Sequence, residues 1–350
     1  MQRYESLPPQ FYLQDLAAIT GRVCELRVNP HQAEADRAAR SWFNQISLYN
    51  DRKKSKFINY GKFDLFATLS FPDADCAHLA TCIMFFFWAF SVHKLVLIHT
   101  DDLSDEGDLQ SKPDAVQAGH DISVSVYTNP DGSRPQYPYA AMLYDLLSRF
   151  RETSTIGAYD RQAFEAWSSS QVTQSRNRSQ DRMPSVDEFI LMRRATIGGA
   201  LVEAMIEYSL DLDLPDVVFE NPIIKAMSDA TTDLMTWPND LCSFNKEQSD
   251  GDYQNLVFCI MHERDVGLQE AINILTDMLN QRVDDYVELK SQLPSFGADV
   301  DAELERYLHA LENFVQGTVL WYYLSPRYFR GVDVTNRENL VVPLFEKGAF

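Results

Sequence analysis

Three oxygen-bearing side chains recur at four-residue intervals in N-D-L-C-S-F-N-K-E, residues 239–247. They are Asn239, Ser243 and Glu247, with Lys246 directly before the last. On an α-helix, positions four apart advance by about 40°, so the trio spans about 80° and shares one face. A carboxamide, a hydroxyl and a carboxylate are hard oxygen donors. Mg2+ accepts such donors while keeping waters and substrate phosphates in its shell. A solvated helix face has the same spacing, so the triplet alone leaves both readings open.

Three further stretches carry charge in patterns suited to anions or metals. H-T-D-D-L-S-D-E-G-D crowds Asp101, Asp102, Asp105, Glu106 and Asp108 directly after a long apolar run. Carboxylates so close repel one another unless cations or solvent intervene, and a helix C-terminus adds to the penalty. The spacing is not that of an EF-hand loop. L-M-R-R-A-T-I-G-G presents Arg193 and Arg194, and S-P-R-Y-F presents Arg327 and Tyr328. Guanidinium forks suit phosphate oxygens, although arginine pairs on helices also serve as surface ion pairs.

The elements that must position these groups are helical. Strand signals are scarce, and amphipathic or apolar helical periods run through 36–49, from Asp75 to about His99, and through Y-A-A-M-L-Y-D-L-L-S-R-F and R-Q-A-F-E-A-W. Further helices are expected over 222–247, 253–291 and 301–324. N-P-D-G-S-R-P-Q-Y-P from Asn129 is turn-rich, and S-S-S-Q-V-T-Q-S-R-N-R-S-Q-D-R-M-P reads as a linker or an exposed helix end. Ser185 to Glu188 forms a capping box that opens the arginine-bearing helix. Pro238 should kink or restart the chain just before Asn239. The expectation is one all-α domain over residues 1–350, of roughly ten helices packed around a cavity, with an N-terminal segment to about residue 30 and a C-terminal tail from about 325.

The totals exclude several classes. A net charge of −20 disfavours sequence-independent binding to nucleic acid, although divalent metals can still mediate binding of an anionic substrate. Five cysteines without a paired metal spacing read as reduced thiols of an intracellular protein. The N-terminus M-Q-R-Y-E-S-L-P-P-Q-F has no apolar signal core, so secretion is not expected. Cys82–Ile98 is about long enough to span a bilayer. His93 and Lys94 fall inside it, and a helix apolar all round also suits the centre of a large α-fold. The reading adopted is a cytoplasmic protein without stable membrane insertion.

Two acidic metal-type motifs, two arginine sites and an all-helical frame together resemble class I terpene synthases. Over nearly its whole length the sequence resembles the fungal, basidiomycete-type sesquiterpene synthases. N-D-L-C-S-F-N-K-E is similar, residue for residue, to that family's second metal motif, N-D-x-x-S-x-x-x-E, including the Lys before the Glu. D-D-L-S-D resembles the aspartate-rich motif, R-R-A-T-I-G the segment with the diphosphate-sensing arginine, and R-Y the C-terminal pair.

The resemblance implies a class I terpenoid synthase α-bundle around a central cavity, and a lyase that ionises farnesyl diphosphate and cyclises the carbocation. It implies three Mg2+ ions, two held by Asp101 with Asp105 and one by Asn239, Ser243 and Glu247. Arg193, Lys246, Arg327 and Tyr328 would grip the diphosphate. Arg193 stands 46 residues before Asn239, which favours it over Arg194 as the sensor. Thr196 would link it to a backbone carbonyl near Ile197. Phe85, Phe86, Phe87, Trp88 and Trp321 are candidates to line the cavity and stabilise the cation, each by roughly 0.5–2 kcal/mol. The resemblance allows a monomer or a homodimer.

The pattern departs from the family at one place. About two residues usually separate the aromatic W-x-F-type segment from the aspartates; here S-V-H-K-L-V-L-I-H-T intervenes. The surplus is most simply Val92–His99. Kept as α-helix, it would displace the aspartates by about 12 Å and turn them by about 80°. An insert that bulges, a gene-model error and a catalytically impaired isoprenoid-binding relative are the competing explanations. A trans-isoprenyl diphosphate synthase is the alternative enzyme, but it calls for a second Asp-rich motif where Asn, Ser and Glu stand.

Overall fold

The computed structural model describes residues 7–23, 25–91, 113–129, 132–153, 161–180, 182–338 and 340–348. The aspartate-rich motif, with Asp101 and Asp105, and the surplus Val92–His99 lie outside the described residues. Among the described residues, fifteen α-helical segments and two short strands succeed one another. Strand β1 (Gln10–Leu13) and helix α1 (Leu16–Thr20) lead into α2 (Gln32–Asn44), α3 (Asp51–Gly61) and α4 (Phe63–Ser70). Next comes α5 (Cys76–Ala89), started by Asp75, whose carboxylate accepts the His78 amide. Every residue from Leu79 to Trp88 is buried, as an all-round apolar sequence requires inside a helical protein.

After α5 come α6 (Pro113–Thr128), α7 (Pro138–Thr153) and α8 (Arg161–Ser179). The Ser185 capping box then opens α9 (Val186–Ile197). Gly198, at φ 87°, ends α9 and begins α10 (Gly199–Leu210). A side chain at Gly199 would strike the Thr232 hydroxyl at 2.5 Å, so glycine there lets the two backbones close up. α11 (Asp216–Glu220) precedes the 29-residue α12 (Pro222–Asp250), capped by Asn221 with proline at its first position. α13 (Leu256–Arg264), α14 (Leu268–Ser291) and α15 (Ala298–Leu324) complete the bundle. α12 packs along α14, α15 and α9, which puts the 239–247 motif among three other helices. Strand β2 (Leu340–Pro343) returns to pair antiparallel with β1, with Gln10 opposite Pro343 and Leu13 opposite Leu340.

The all-α reading holds, with differences of detail. α5 stops at Ala89 rather than near His99. The Ser91 hydroxyl donates to the Phe87 carbonyl at 2.6 Å and so satisfies one of the orphan acceptors at the helix end. The rigid-helix displacement feared for the aspartates therefore does not start from α5, which ends before Val92. The expected helix over 253–291 is two, parted where Asp265 turns left-handed. The stretch from Ser168 is mostly α8, with Gln174, Ser175 and Asn177 buried, and not a linker.

Pro238 does not restart the chain, because α12 runs through it. A proline forfeits one helical hydrogen bond and strains its own turn. Here the Tyr322 hydroxyl of α15 donates to the Met235 carbonyl in that turn, at 3.2 Å. Among the described residues no helix is long and apolar enough to cross a membrane, and Cys76, Cys82, Cys242 and Cys259 are free thiols.

Candidate metal and diphosphate site

α9 and α12 bring the first pieces together. Near the end of α9 the Arg193 guanidinium crosses to α12. It donates to the Asn239 amide oxygen at 2.7 Å and to the Asp240 carboxylate at 3.0 Å. Burial works against the charge on Arg193, but Asp240 and Glu247 outweigh it and raise its pKa further. Asp240 is 1% exposed. Burial lifts its carboxyl above the ordinary range, while Arg193 and the Leu256 amide pull the other way. Arg193 also reaches the Thr196 hydroxyl at 3.4 Å, and that hydroxyl bonds back to the Arg193 carbonyl. The Thr196 carbonyl, at the break before Gly198, is taken by the Gln171 amide at 2.7 Å.

Asn239, Ser243 and Glu247 sit on one face of α12. Ser243 is buried, and among the described residues its hydroxyl has no hydrogen-bond partner. Such a group loses its water without compensation. Glu247 accepts from the Asn255 amide at 2.9 Å. Burial, and then the Asp252 and Asp240 carboxylates, push its pKa up to about 7. The same Asn255 amide donates to the Asp240 carbonyl at 2.8 Å. Lys246 lies on this side of the helix, with its ammonium 2.6 Å from the Asp250 carboxylate.

The end of α15 supplies the third piece. Tyr328 is buried, its hydroxyl accepts from the Asn239 amide nitrogen at 3.3 Å, and burial raises its pKa to about 12. Arg327 stands beside it, with its guanidinium 5.6 Å from the ring of Phe90, the residue that caps α5. Arg193, Asn239 and Tyr328, spread over 136 residues of chain, are thus in a direct series of contacts. The Arg327 guanidinium faces the end of α5 that leads toward the aspartate-rich segment.

The neighbouring Arg194 does something else. Its fork holds both oxygens of Asp233, at 2.8 and 2.7 Å, and a third nitrogen meets Asp229 at 2.7 Å. Arg282 of α14 also binds Asp233 and lies 5.8 Å over the Trp237 ring. Of the aromatic candidates, Phe86 stacks on Phe66 at 4.1 Å and Phe66 on Trp321 at 4.2 Å, while the Trp321 indole donates to the Gly61 carbonyl. Trp88 belongs to a different group, stacked on Tyr139 and tilted against Trp167.

The donor set suits a hard divalent cation. An amide oxygen, an orphaned buried hydroxyl and a carboxylate that its neighbours make costly to ionise all gain from an added positive charge. Among the described residues, no three His, Cys, Asp or Glu side chains converge on a common metal position, so this mixed trio is the candidate. Sequence reasoning passed over Asp240 and Asn255. Asp240 is the second letter of the N-D pair, and Asn255 announces itself only as a cap before the apolar run L-V-F-C-I-M.

Solved structures share this architecture. The SVS_A2 protein from ancestral sequence reconstruction superposes with a TM-score of 0.75 at 23% identity, over 92% of this chain and 91% of that one. Germacradien-4-ol synthase from Streptomyces citricolor superposes at 0.69 with 20% identity, over 85% and 95%. The fold is therefore that of the class I terpenoid synthases. The profile described as terpene synthase family 2, C-terminal metal binding, matches residues 95–285. Sesquiterpene synthase Agr1 of Cyclocybe aegerita is 30% identical over 308 residues, covering 87% of this chain and 85% of that protein. Sesquiterpene synthase 1 of Postia placenta is 28% identical over 346 residues, 98% of each chain. The chain belongs to terpene synthase family 2, a family of metal-binding lyases, and is similar to basidiomycete sesquiterpene synthases.

Proposed function

We propose that the protein is a Mg2+-dependent sesquiterpene synthase, a single catalytic domain that ionises farnesyl diphosphate and cyclises the resulting cation. The observation that carries this reading is the series Arg193–Asn239–Tyr328 beside the partnerless Ser243 hydroxyl and the costly Glu247 carboxylate. Bound Mg2+ supplies charge neutralisation for a leaving diphosphate. Asn239, Ser243 and Glu247 would hold one ion, and Asp101 with Asp105 would hold two more.

Arg193 keeps its proton throughout, so it binds the anion as a fixed positive fork and needs no proton transfer. Its present partners are an amide and a carboxylate, and incoming phosphate oxygens compete with both. Through Thr196 the same guanidinium touches the last turn of α9, which gives anion binding a route to the backbone near Ile197. Tyr328 remains a neutral donor, and Arg327 and Lys246 add positive charge at the rim. Lys246 must leave Asp250 to do so. Departure of diphosphate leaves an allylic cation that water would quench, and Phe86 with Trp321 in one aromatic group and Trp88 in another would provide apolar, electron-rich surroundings.

The test is gas chromatography–mass spectrometry of the purified protein with farnesyl diphosphate, with and without Mg2+, beside a variant lacking Val92–His99. A terpene formed only with Mg2+ is expected. Product from the deletion variant alone would assign the defect to the surplus residues. No product from either folded protein would overturn the reading in favour of an isoprenoid-binding relative.

A further inference from the structure

Three buried polar residues of the 239–250 stretch do not face the proposed metal. Asn245, Gln248 and Ser249 are 1%, 7% and 3% exposed, and they lie about 140° to 240° round the helix from Ser243. Their partners come from the far end of the chain. The Asn245 amide donates to the Pro343 carbonyl at 2.8 Å, and its oxygen accepts the Phe345 amide at 2.8 Å. Gln248 donates to the Phe345 carbonyl at 2.8 Å and the Ser249 hydroxyl to the Glu346 carbonyl at 2.7 Å. The Gly348 amide returns a bond to the Ser249 carbonyl at 2.9 Å.

Five hydrogen bonds thus lay residues 343–348 along the back of α12, in contacts that read backbone and not side chains. The strap is itself anchored. β2 pairs with β1, the Tyr12 backbone of β1 exchanges hydrogen bonds with Gln269 of α14, and Phe11 meets Phe244 of α12 edge-on at 5.9 Å.

We propose that the C-terminal strap is a positioning element of the diphosphate site, and that Asn245 and Gln248 are its positioning residues. This rests on the reading that α12 carries the metal face. A helix end frays unless tertiary contacts hold it. Glu247 stands three residues before the end of α12, where unwinding by one turn would remove it from the Asn239–Ser243 face. The strap secures that last turn from behind without occupying the side that a ligand must approach. Its hydrogen bonds are part-buried, with buried side chains at their α12 ends, so their loss leaves those polar groups only partly compensated by water.

Two variants test this: the chain ended after Arg337, and the full-length Asn245→Leu/Gln248→Leu double variant, which keeps the tail if the shortened chain fails to fold. Metal-free amide hydrogen exchange is measured along α12, and Mg2+ with inorganic diphosphate is titrated calorimetrically. Amides 243–250 should exchange at least tenfold faster while 224–236 keep their protection, and diphosphate should bind about tenfold more weakly. Exchange and affinity within twofold of the unaltered protein, in a folded variant, would overturn the proposal. If the unaltered protein binds no diphosphate while the exchange pattern changes as expected, the proposed function fails and the strap's hold on α12 stands.

Discussion

The two halves of α12 handle buried charge in opposite ways. Around Asp233, 0% exposed, each carboxylate oxygen has a donor from Arg194, and Arg282 adds its own nitrogens to one of them. Two turns further on, Arg193 divides itself between an amide and a carboxylate, Ser243 is left without a partner among the described residues, and Glu247 is lifted to about 7. Adjacent arginines of one helix supply both halves. A closed set of hydrogen bonds has nothing left to offer a ligand, so the lower half ties α9 to α12 and α14. On the proposed function, the upper half is the one left incomplete for a ligand. Incompleteness, not charge, separates the two.

Substitutions can break that contrast or sharpen it. The largest expected effect is at the closed end. Asp233→Ala removes the buried carboxylate that joins the half-buried Arg194 and Arg282, and should cost about 3 kcal/mol in urea denaturation, the upper end for hydrogen bonds to charged groups. Any loss of activity should follow only from loss of folded protein. At the open end, Arg193→Lys keeps the charge but loses the fork. On the proposed function it should lower kcat/KM for farnesyl diphosphate by roughly 10²-fold, equivalent to about 2.7 kcal/mol of transition-state stabilisation.

Ser243→Ala sharpens the comparison most. Removing an unpartnered hydroxyl should leave unfolding within about 0.5 kcal/mol of the parent. Mg2+ affinity, read by titration with inorganic diphosphate, should fall roughly tenfold, or about 1.4 kcal/mol. A clear loss of stability instead would show that the hydroxyl is structural.

The smallest effect concerns a flaw in the lower half. Glu203 of α10 accepts from Ser228 of α12 beside a cavity of about 120 Å³ that Phe219, Tyr307 and Leu311 also line. Burial raises its pKa to about 7. A carboxyl raised in the folded state binds its proton more tightly there than when unfolded, so its stabilising contribution is present at acid pH and is lost as pH rises from about 4.5 through 7. Glu203 is part-buried rather than fully enclosed, so the effect should be about 1 kcal/mol. Stability should therefore decline over that range, and Glu203→Gln should flatten the decline in thermal melts at pH 5 and 8.

Local chemistry was legible wherever it is set by spacing. The 239–247 triplet and the Ser185 capping box follow from residue type and helical period, whereas the choice of Arg193 over Arg194 rests on the family resemblance. In the structure the two arginines part company, one to Asn239 and one to Asp233. Helix ends were less legible. α5 finishes at Ala89, where the Ser91 hydroxyl bonds the Phe87 carbonyl, and α12 continues through Pro238, with a tyrosine 84 residues further on bonded to the Met235 carbonyl of that turn. That tyrosine cannot be recognised from a local window. Asn245, Gln248 and Ser249 were opaque for the same reason, since polar letters on a helix look like solvent contacts until the tail is seen lying on them.

By itself the sequence determined the class of fold and the kinds of atoms available. Apolar period, capping residues and hard-oxygen spacing are properties of neighbouring positions, and neighbouring positions obey helical geometry whatever surrounds them. Only the tertiary structure decided which of those atoms are already spoken for. Whether a buried oxygen or guanidinium is satisfied depends on groups brought in from distant helices: Arg282 for Asp233, Tyr328 for Asn239, and the backbone of 343–348 for Asn245 and Gln248. Burial makes each unmet hydrogen bond costly, and on the proposed function that cost leaves one face of α12 open to a ligand while the rest is closed.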